Sequence, residues 1–222
     1  VVSKYKAVLW DLDGTLIAST HTYYKTLASL CDRFSFTVPK IVPSGACLYT
    51  MWESLIHPEG PQLTFENFLD EIHEACLSPL TPASLRDNIA EVVEALNQAQ
   101  IKQSCVSNSM TYYINEALTK TEIALYFEHW IGRDNVEEGK PSPVPYLTSS
   151  ASLQIDPIDC LVIEDTPLGV EAAKRAGMTA VAFPNEHSGI TSFSQADYIV
   201  KDIRQLYDFF ESESLSHAEG WA

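Results

Sequence analysis

The chain has 222 residues, 45% of them hydrophobic, and carries 30 acidic against 14 basic side chains for a net charge of −16. That length suits one core plus an insertion, with enough apolar content for a sizeable interior. The acidity excludes nucleic acid and anionic membrane as partners, since both are polyanions, but leaves a small phosphorylated molecule open where a metal and a few local cations invert the field.

Residues 6–10 read as a first strand with the apolar run Ala7-Val8-Leu9-Trp10, and Asp11-Leu12-Asp13-Gly14-Thr15 follows it directly. Two carboxylates two residues apart point the same way on an extended segment, and a glycine lets the chain turn after them. Such a pair is costly unless it holds a cation or moves a proton. A divalent metal on oxygen ligands, with one aspartate free to attack an electrophile, is the simplest chemistry. An Asp-Gly turn closing a hairpin is the bland alternative.

Residues 17–80 break the pattern. They are helix-like at about 20–35, 47–56 and 64–77, with no convincing buried strand. The block is read as an inserted helical cap over the strand ends rather than a long crossover packed on the sheet. Beyond it, Thr81 and Pro82 open a helix expected over 82–98, with Ile89, Val92, Val93 and Leu96 as its apolar stripe. A second strand is expected from Ile101 to Val106, then a helix near 111–120, and a short strand at Trp130-Ile131. A helix runs from Ser142-Pro143 to about Leu153, and a buried strand covers Leu161 to Ile163. A helix near 167–176 has Thr166 as its cap and Gly177 past its end. Strands at Ala180–Phe183 and Tyr198–Val200 and a last helix over 202–213 complete the chain, with a frayed polar tail.

Short apolar strands alternating with helices predict an α/β fold with a doubly wound, Rossmann-like parallel sheet, covered on both faces. The expected division is a core of residues 1–16 and 81–222 and a helical cap of 17–80. Function in such sheets collects at the carboxyl ends of the strands, and three further strand ends carry suitable groups. Ser107-Asn108-Ser109 can hold a phosphoryl oxygen, or can be a plain turn. Lys140, set between Gly139 and Pro141, can balance both a nucleophile and a phosphate, or can be a solvated lysine. Glu164 and Asp165 repeat the problem of Asp11 and Asp13. A capping role for Asp165 or Thr166 does not account for Glu164 as well.

Taken together, in this order, the four motifs resemble the haloacid dehalogenase superfamily of phosphohydrolases over about residues 1–16 and 80–205. The run from Glu164 to Gly177 is most similar to its β-phosphoglucomutase-like branch, which has its helical cap at this same place. The resemblance implies that Asp11 attacks phosphorus to give an aspartyl-phosphate. Asp13 then serves as acid and later base, with Thr15 supporting the turn and orienting it. Ser107, Asn108 and Lys140 hold the phosphoryl group. Magnesium is held by Asp11, the Asp13 carbonyl, Asp165 and, directly or through water, Glu164.

The expected activity is Mg2+-dependent hydrolysis of a small phosphomonoester such as a sugar phosphate. Dehalogenation ranks low because halide needs no acid, and phosphonate cleavage through Lys25 ranks low too. A phosphohexomutase is the main competitor. Its relatives carry a cap histidine where Tyr23 stands here, with His21 two residues early. The 17–80 block holds three basic residues (Lys25, Arg33, Lys40) against seven acidic ones, a poor lid for a bisphosphate. A catalytically idle phosphate or metal sensor is the third reading, disfavoured by the presence of Asp11, Asp13 and Lys140.

Tyr23, Tyr24, Tyr49, Trp52 and His57 are candidate cap contacts, with core packing the stronger expectation for each. The other histidines look ordinary. Five cysteines without a Cys-x-x-Cys pair, with Cys105 and Cys160 on buried strands, fit reduced thiols in a cytoplasmic protein. No segment resembles a signal peptide or membrane helix, and a monomer is the default.

Overall fold

The computed structural model describes residues 4–37, 48–60, 62–186, 188 and 193–210. The expected polar tail, Lys40 and Cys47 lie outside them. Six strands form one sheet in the order β3-β2-β1-β4-β5-β6, every pair parallel. They are β1 (Ala7–Trp10), β2 (Lys102–Val106), β3 (His129–Ile131), β4 (Cys160–Glu164), β5 (Thr179–Ala182) and β6 (Tyr198–Ile199).

The period-two alternation of side chains splits the apolar runs between two cores. Val8, Trp10, Cys105, Leu161, Ile163 and Val181 face one side. There they meet α4 (Ile89–Gln98) and α5 (Thr111–Lys120) through Val92, Val93, Leu96, Ile114 and Leu118. Ala7, Leu9, Val106, Val162, Ala180 and Ala182 face the other, against α6 (Val144–Leu153) and α7 (Pro167–Arg175). The strand order reverses between β1 and β4, which is where a crevice opens in doubly wound sheets. Trp10 pairs with Cys105 on one side and Ile163 on the other, so the three strands end level. One further bond, from Asp11 N to Ile163 O at 3.0 Å, fixes Asp11 just past that line.

Between β1 and α4 lie α1 (Thr20–Phe34), α2 (Leu48–Met51) continued by a π-type turn at Trp52–Ile56, and α3 (Phe65–Leu77). Helices α1 and α3 pack together through Leu27, Leu30, Cys31, Phe68, Ile72 and Cys76. The two segments joining this block to the sheet run side by side. Ile17 bridges both Asp13 and Leu85, Ala18 N donates to Ser84 O at 2.9 Å, and Arg86 N donates to Leu16 O at 3.0 Å.

That pairing corrects the helix expected over 82–98. Only Ile89–Gln98 is α-helical; Pro82–Ser84 is a single 3-10 turn, and Asn88 has φ 65°. The Ser84 carbonyl and the Arg86 amide are spent on the opposite linker, which outweighs the helix preference of this stretch. The last helix, expected over 202–213, is a 3-10 segment at Ile203–Phe209, and residues 211–213 lie outside the described residues. Among the described residues no helix is long and apolar enough to cross a membrane. Cys31, Cys76, Cys105 and Cys160 are buried free thiols.

Candidate active site

The ends of β1, β2 and β4 and the loop before α6 converge at the crevice. Lys140 Nζ donates to Asp11 Oδ1 at 2.6 Å and to Glu164 Oε1 at 2.5 Å, with all three side chains nearly inaccessible. Asn108 pins the lysine's backbone from both sides: its Oδ1 accepts from Lys140 N at 2.8 Å and its Nδ2 donates to Lys140 O at 3.1 Å. The side-chain amide expected to face phosphate is therefore engaged in shaping the lysine loop. Glu164 Oε1 also accepts from Tyr146 Oη at 2.7 Å, and Oε2 accepts from Thr166 Oγ1 at 3.0 Å. Thr166 in turn caps α7 by accepting from Gly169 N at 3.1 Å. A Cβ on Gly169 would fall 1.8 Å from the Glu164 carboxyl, so the helix can approach only as glycine.

Carboxylate oxygens of Asp11, Glu164 and Asp165 lie within 4.8 Å of one another. Asp165 accepts from Thr15 Oγ1 at 3.2 Å and Asn185 Nδ2 at 2.7 Å. Thr15 is fully buried and bonds Asp165 rather than Asp13, which revises the orienting role expected for it. The turn between them needs Gly14 (φ +83°), where a Cβ would meet Asp165 Oδ2 at 2.2 Å. Arg86 fixes that turn by donating to Gly14 O at 2.7 Å, Phe183 O at 2.8 Å and Pro184 O at 2.8 Å.

Asp13 is held instead by three hydroxyls. Ser19 Oγ donates to Oδ1 at 2.7 Å, Tyr113 Oη to Oδ1 at 3.0 Å and Ser109 Oγ to Oδ2 at 2.9 Å. Ser107 Oγ accepts from Ser109 N at 3.0 Å and lies in the same cavity wall.

Electrostatics follow from burial. Desolvation first, then the charge of Glu164, push the Asp11 carboxyl well above its ordinary range against the pull of Lys140. The same two causes, in that order, bring Asp165 to about 7. Burial pulls the Lys140 ammonium down, but the charges of Asp11 and Glu164 outweigh it and the net shift is upward. Three carboxylates share one internal cation. This charge deficit, on a set of hard oxygen donors, fits a divalent ion such as magnesium.

One cavity joins this cluster to the helical block. Asp11, Asp13, Ser107, Asn108, Lys140 and Asp165 line its floor; Tyr23, Tyr24, Leu48, Met51, Ile72, His73 and Cys76 line the rest. Tyr23 and Tyr24 thus face the cavity, whereas Tyr49, Trp52 and His57 pack among themselves and against Phe65. His73 was expected to be ordinary and is not. It is 3% exposed, its Nδ1 meets Tyr112 Oη, and its Nε2 has no partner among the described residues. Burial lowers its pKa to about 4. Tyr113, Tyr146, Ser19, Asn185 and Arg86 also escaped the sequence reading, since nothing in their spacing separates them from core or surface residues.

Comparison with known proteins places the chain in a family. The family described as haloacid dehalogenase-like hydrolase matches residues 8–183. Validoxylamine A 7'-phosphate phosphatase of Streptomyces hygroscopicus subsp. limoneus is 28% identical over 207 residues, 91% of this chain and 96% of that protein. β-Phosphoglucomutase of Bacillus subtilis is 26% identical over 187 residues, 79% of this chain and 82% of that protein. The crystal structure of a CbbY variant from Rhodobacter sphaeroides, in complex with xylulose-(1,5)bisphosphate, superposes with a TM-score of 0.78 at 18% identity. That match covers 94% of this chain and 100% of that one.

Proposed function

The chain belongs to the haloacid dehalogenase-like hydrolases and is a phosphoric monoester hydrolase, and from that premise we propose a Mg2+-dependent, two-step hydrolysis of a small phosphorylated metabolite at the Asp11 cluster. The observation that carries it is the placement of Lys140 between Asp11 and Glu164, beside Asp165 and within one cavity with Asp13 and Ser107.

In the first step an Asp11 oxygen bonds to phosphorus while the ester bond breaks. The departing oxygen takes the proton of Asp13. In the second step Asp13 takes a proton from water, whose oxygen attacks phosphorus and releases Asp11. Lys140 and the Ser107 hydroxyl hold the phosphoryl oxygens throughout. Ser19, Ser109 and Tyr113 fix the carboxyl of Asp13 in place, and Thr15 and Asn185 fix that of Asp165. Asp11, Asp165 and the Asp13 carbonyl would hold the magnesium ion, with Glu164 adjoining through the lysine it anchors. When bound, the ion supplies neutralisation of the phosphoryl charge.

The helical block, residues 17–80, acts as a cap over a core of 1–16 and 81–222. It closes the cavity against water while leaving the phosphoryl site to the sheet. A monomer acting in the cytoplasm on a small molecule, without nucleic acid or membrane, completes the reading, and the −16 charge supports it.

Hydrolysis ranks above mutase chemistry. At the cap position where mutases place a histidine, Tyr23 donates to Met51 Sδ at 2.8 Å. The deciding experiment is phosphate release from p-nitrophenyl phosphate with and without Mg2+. Release that disappears in Asp11→Asn and with chelator is the expected result; undiminished release in Asp11→Asn refutes the nucleophile. Conversion of β-glucose 1-phosphate to glucose 6-phosphate in the presence of a bisphosphate primer would reverse the ranking.

A further inference from the structure

We propose that this cavity selects phosphomonoesters whose leaving group is uncharged and hydroxylated, with His73 as the polar contact that reads the hydroxyl. The inference rests on the phosphatase reading and names its substrate class. Among the described residues the wall outside the phosphoryl site includes Tyr23, Tyr24, Met51, Ile72, His73 and Cys76, and none of its side chains is charged. Among the described residues lining the cavity Lys140 is the only cation, and its ammonium is committed to Asp11 and Glu164. On the helical block Lys25 is exposed and Arg33 pairs with Glu71 at the surface. A carboxylate or second phosphate carried on the leaving group would shed its water against this wall and meet no counter-charge among the described residues that line it.

A hydroxyl meets something better. His73 Nε2 is buried without a partner among the described residues, while Nδ1 is taken by Tyr112 Oη. If Tyr112 donates to Nδ1, Nε2 carries the proton and donates; if it accepts, Nε2 is bare and accepts. A hydroxyl satisfies either tautomer, and a carboxylate only one. The ring packs on Tyr113 at 4.6 Å between centroids, and Tyr113 bonds Asp13. A leaving group seated on His73 therefore lies in the same cavity as Asp13, with Tyr113 between the two.

The test uses matched pairs differing in one carboxylate: glycerol 1-phosphate against 3-phosphoglycerate, and sorbitol 6-phosphate against 6-phosphogluconate. Each is measured by kcat/KM with Mg2+ and by the thermal shift it gives, which reads binding without turnover. The uncharged member of each pair is expected to lead by at least about tenfold. Equal or better use of the anionic members, or of a bisphosphate, overturns the proposal.

His73→Phe keeps the ring on Tyr113 and removes Nε2. It should lower kcat/KM for the hydroxylated esters by about two- to tenfold relative to p-nitrophenyl phosphate, which has no hydroxyl to read. Equal losses on both substrates mean that His73 is only structural, and the specificity role fails. Inactivity of the wild type on every ester, p-nitrophenyl phosphate included, would instead sink the phosphatase reading itself.

Discussion

Acidification tests how His73 is held. Its imidazole titrates at about 4 in the folded protein, against 6.5 when solvated, because burial opposes the charged form. A lowered folded pKa means the unfolded chain binds the proton first. The stability is present above pH 6.5 and drains away as pH falls toward 4. At pH 4.5 the unfolded imidazole is almost wholly protonated and the folded one mostly neutral, which costs about 2.5 kcal/mol of stability relative to pH 7.5. Many carboxylates titrate in the same interval, so the quantity to measure is a difference of differences. Urea unfolding of wild type and of His73→Phe is followed at both pH values. Wild type should lose about 2.5 kcal/mol more than the variant on acidification, or roughly 5–10 °C in Tm for a chain of this size. An identical loss in both proteins would show that the imidazole already carries its proton or lies open to water, and the neutral-wall argument would fall with it.

Lys140→Met should abolish turnover. In metal-free buffer it should also lower Tm by about 10 °C, because it leaves Asp11 and Glu164 buried without their cation; a Tm within about 2 °C of wild type would contradict this. Tyr113→Phe removes one of three hydroxyls from Asp13 and should reduce kcat about tenfold with little change in KM. A KM effect alone would place the tyrosine in binding instead. Gly169→Ala should destabilise by about 1–3 kcal/mol, although alanine is the better helix former, because the added methyl meets a carboxyl that cannot retreat. A raised Tm would refute that packing. For metal-free protein, raising pH from 5 to 8 should cost wild type stability relative to Asp165→Asn. The folded Asp165 titrates at about 7, so it keeps a proton that the unfolded chain has already released. Matching pH profiles would argue against that shift.

The sheet was legible because β1, β4 and β5 are short, mostly apolar on both faces and separated from their neighbours by helices, a pattern that parallel order alone explains well. The positions of Asp11, Ser107 and Glu164–Asp165 followed, since level strand ends bring them together whatever the rest of the chain does. Side-chain partnership was another matter. Thr15 bonds Asp165 across the switch point, and Asn108 serves the lysine loop, because a tight turn decides where a short polar side chain can reach. Tyr113, Tyr146 and His73 sit at the periodicity of core residues. Only their polar tips distinguish them, and those tips acquire meaning from neighbours distant in sequence. The helix expected from residue 82 failed for a similar reason: the partner that holds residues 85–86 extended is the segment 16–18.

That pairing has a consequence for how the molecule can change. The chain departs from the sheet layer at residues 16–18 and rejoins it at 84–86, and these points touch. To the strands, everything in between is an excursion whose two ends already meet, so its length and content carry little closure cost. A different lid could be spliced in at those two residue pairs, carrying new selectivity for the leaving group, while the chemistry-bearing ends of β1 and β4 kept their register. Cutting at one point alone would unzip the seam that carries Ser19 to Asp13, so any successful transplant must exchange both ends together.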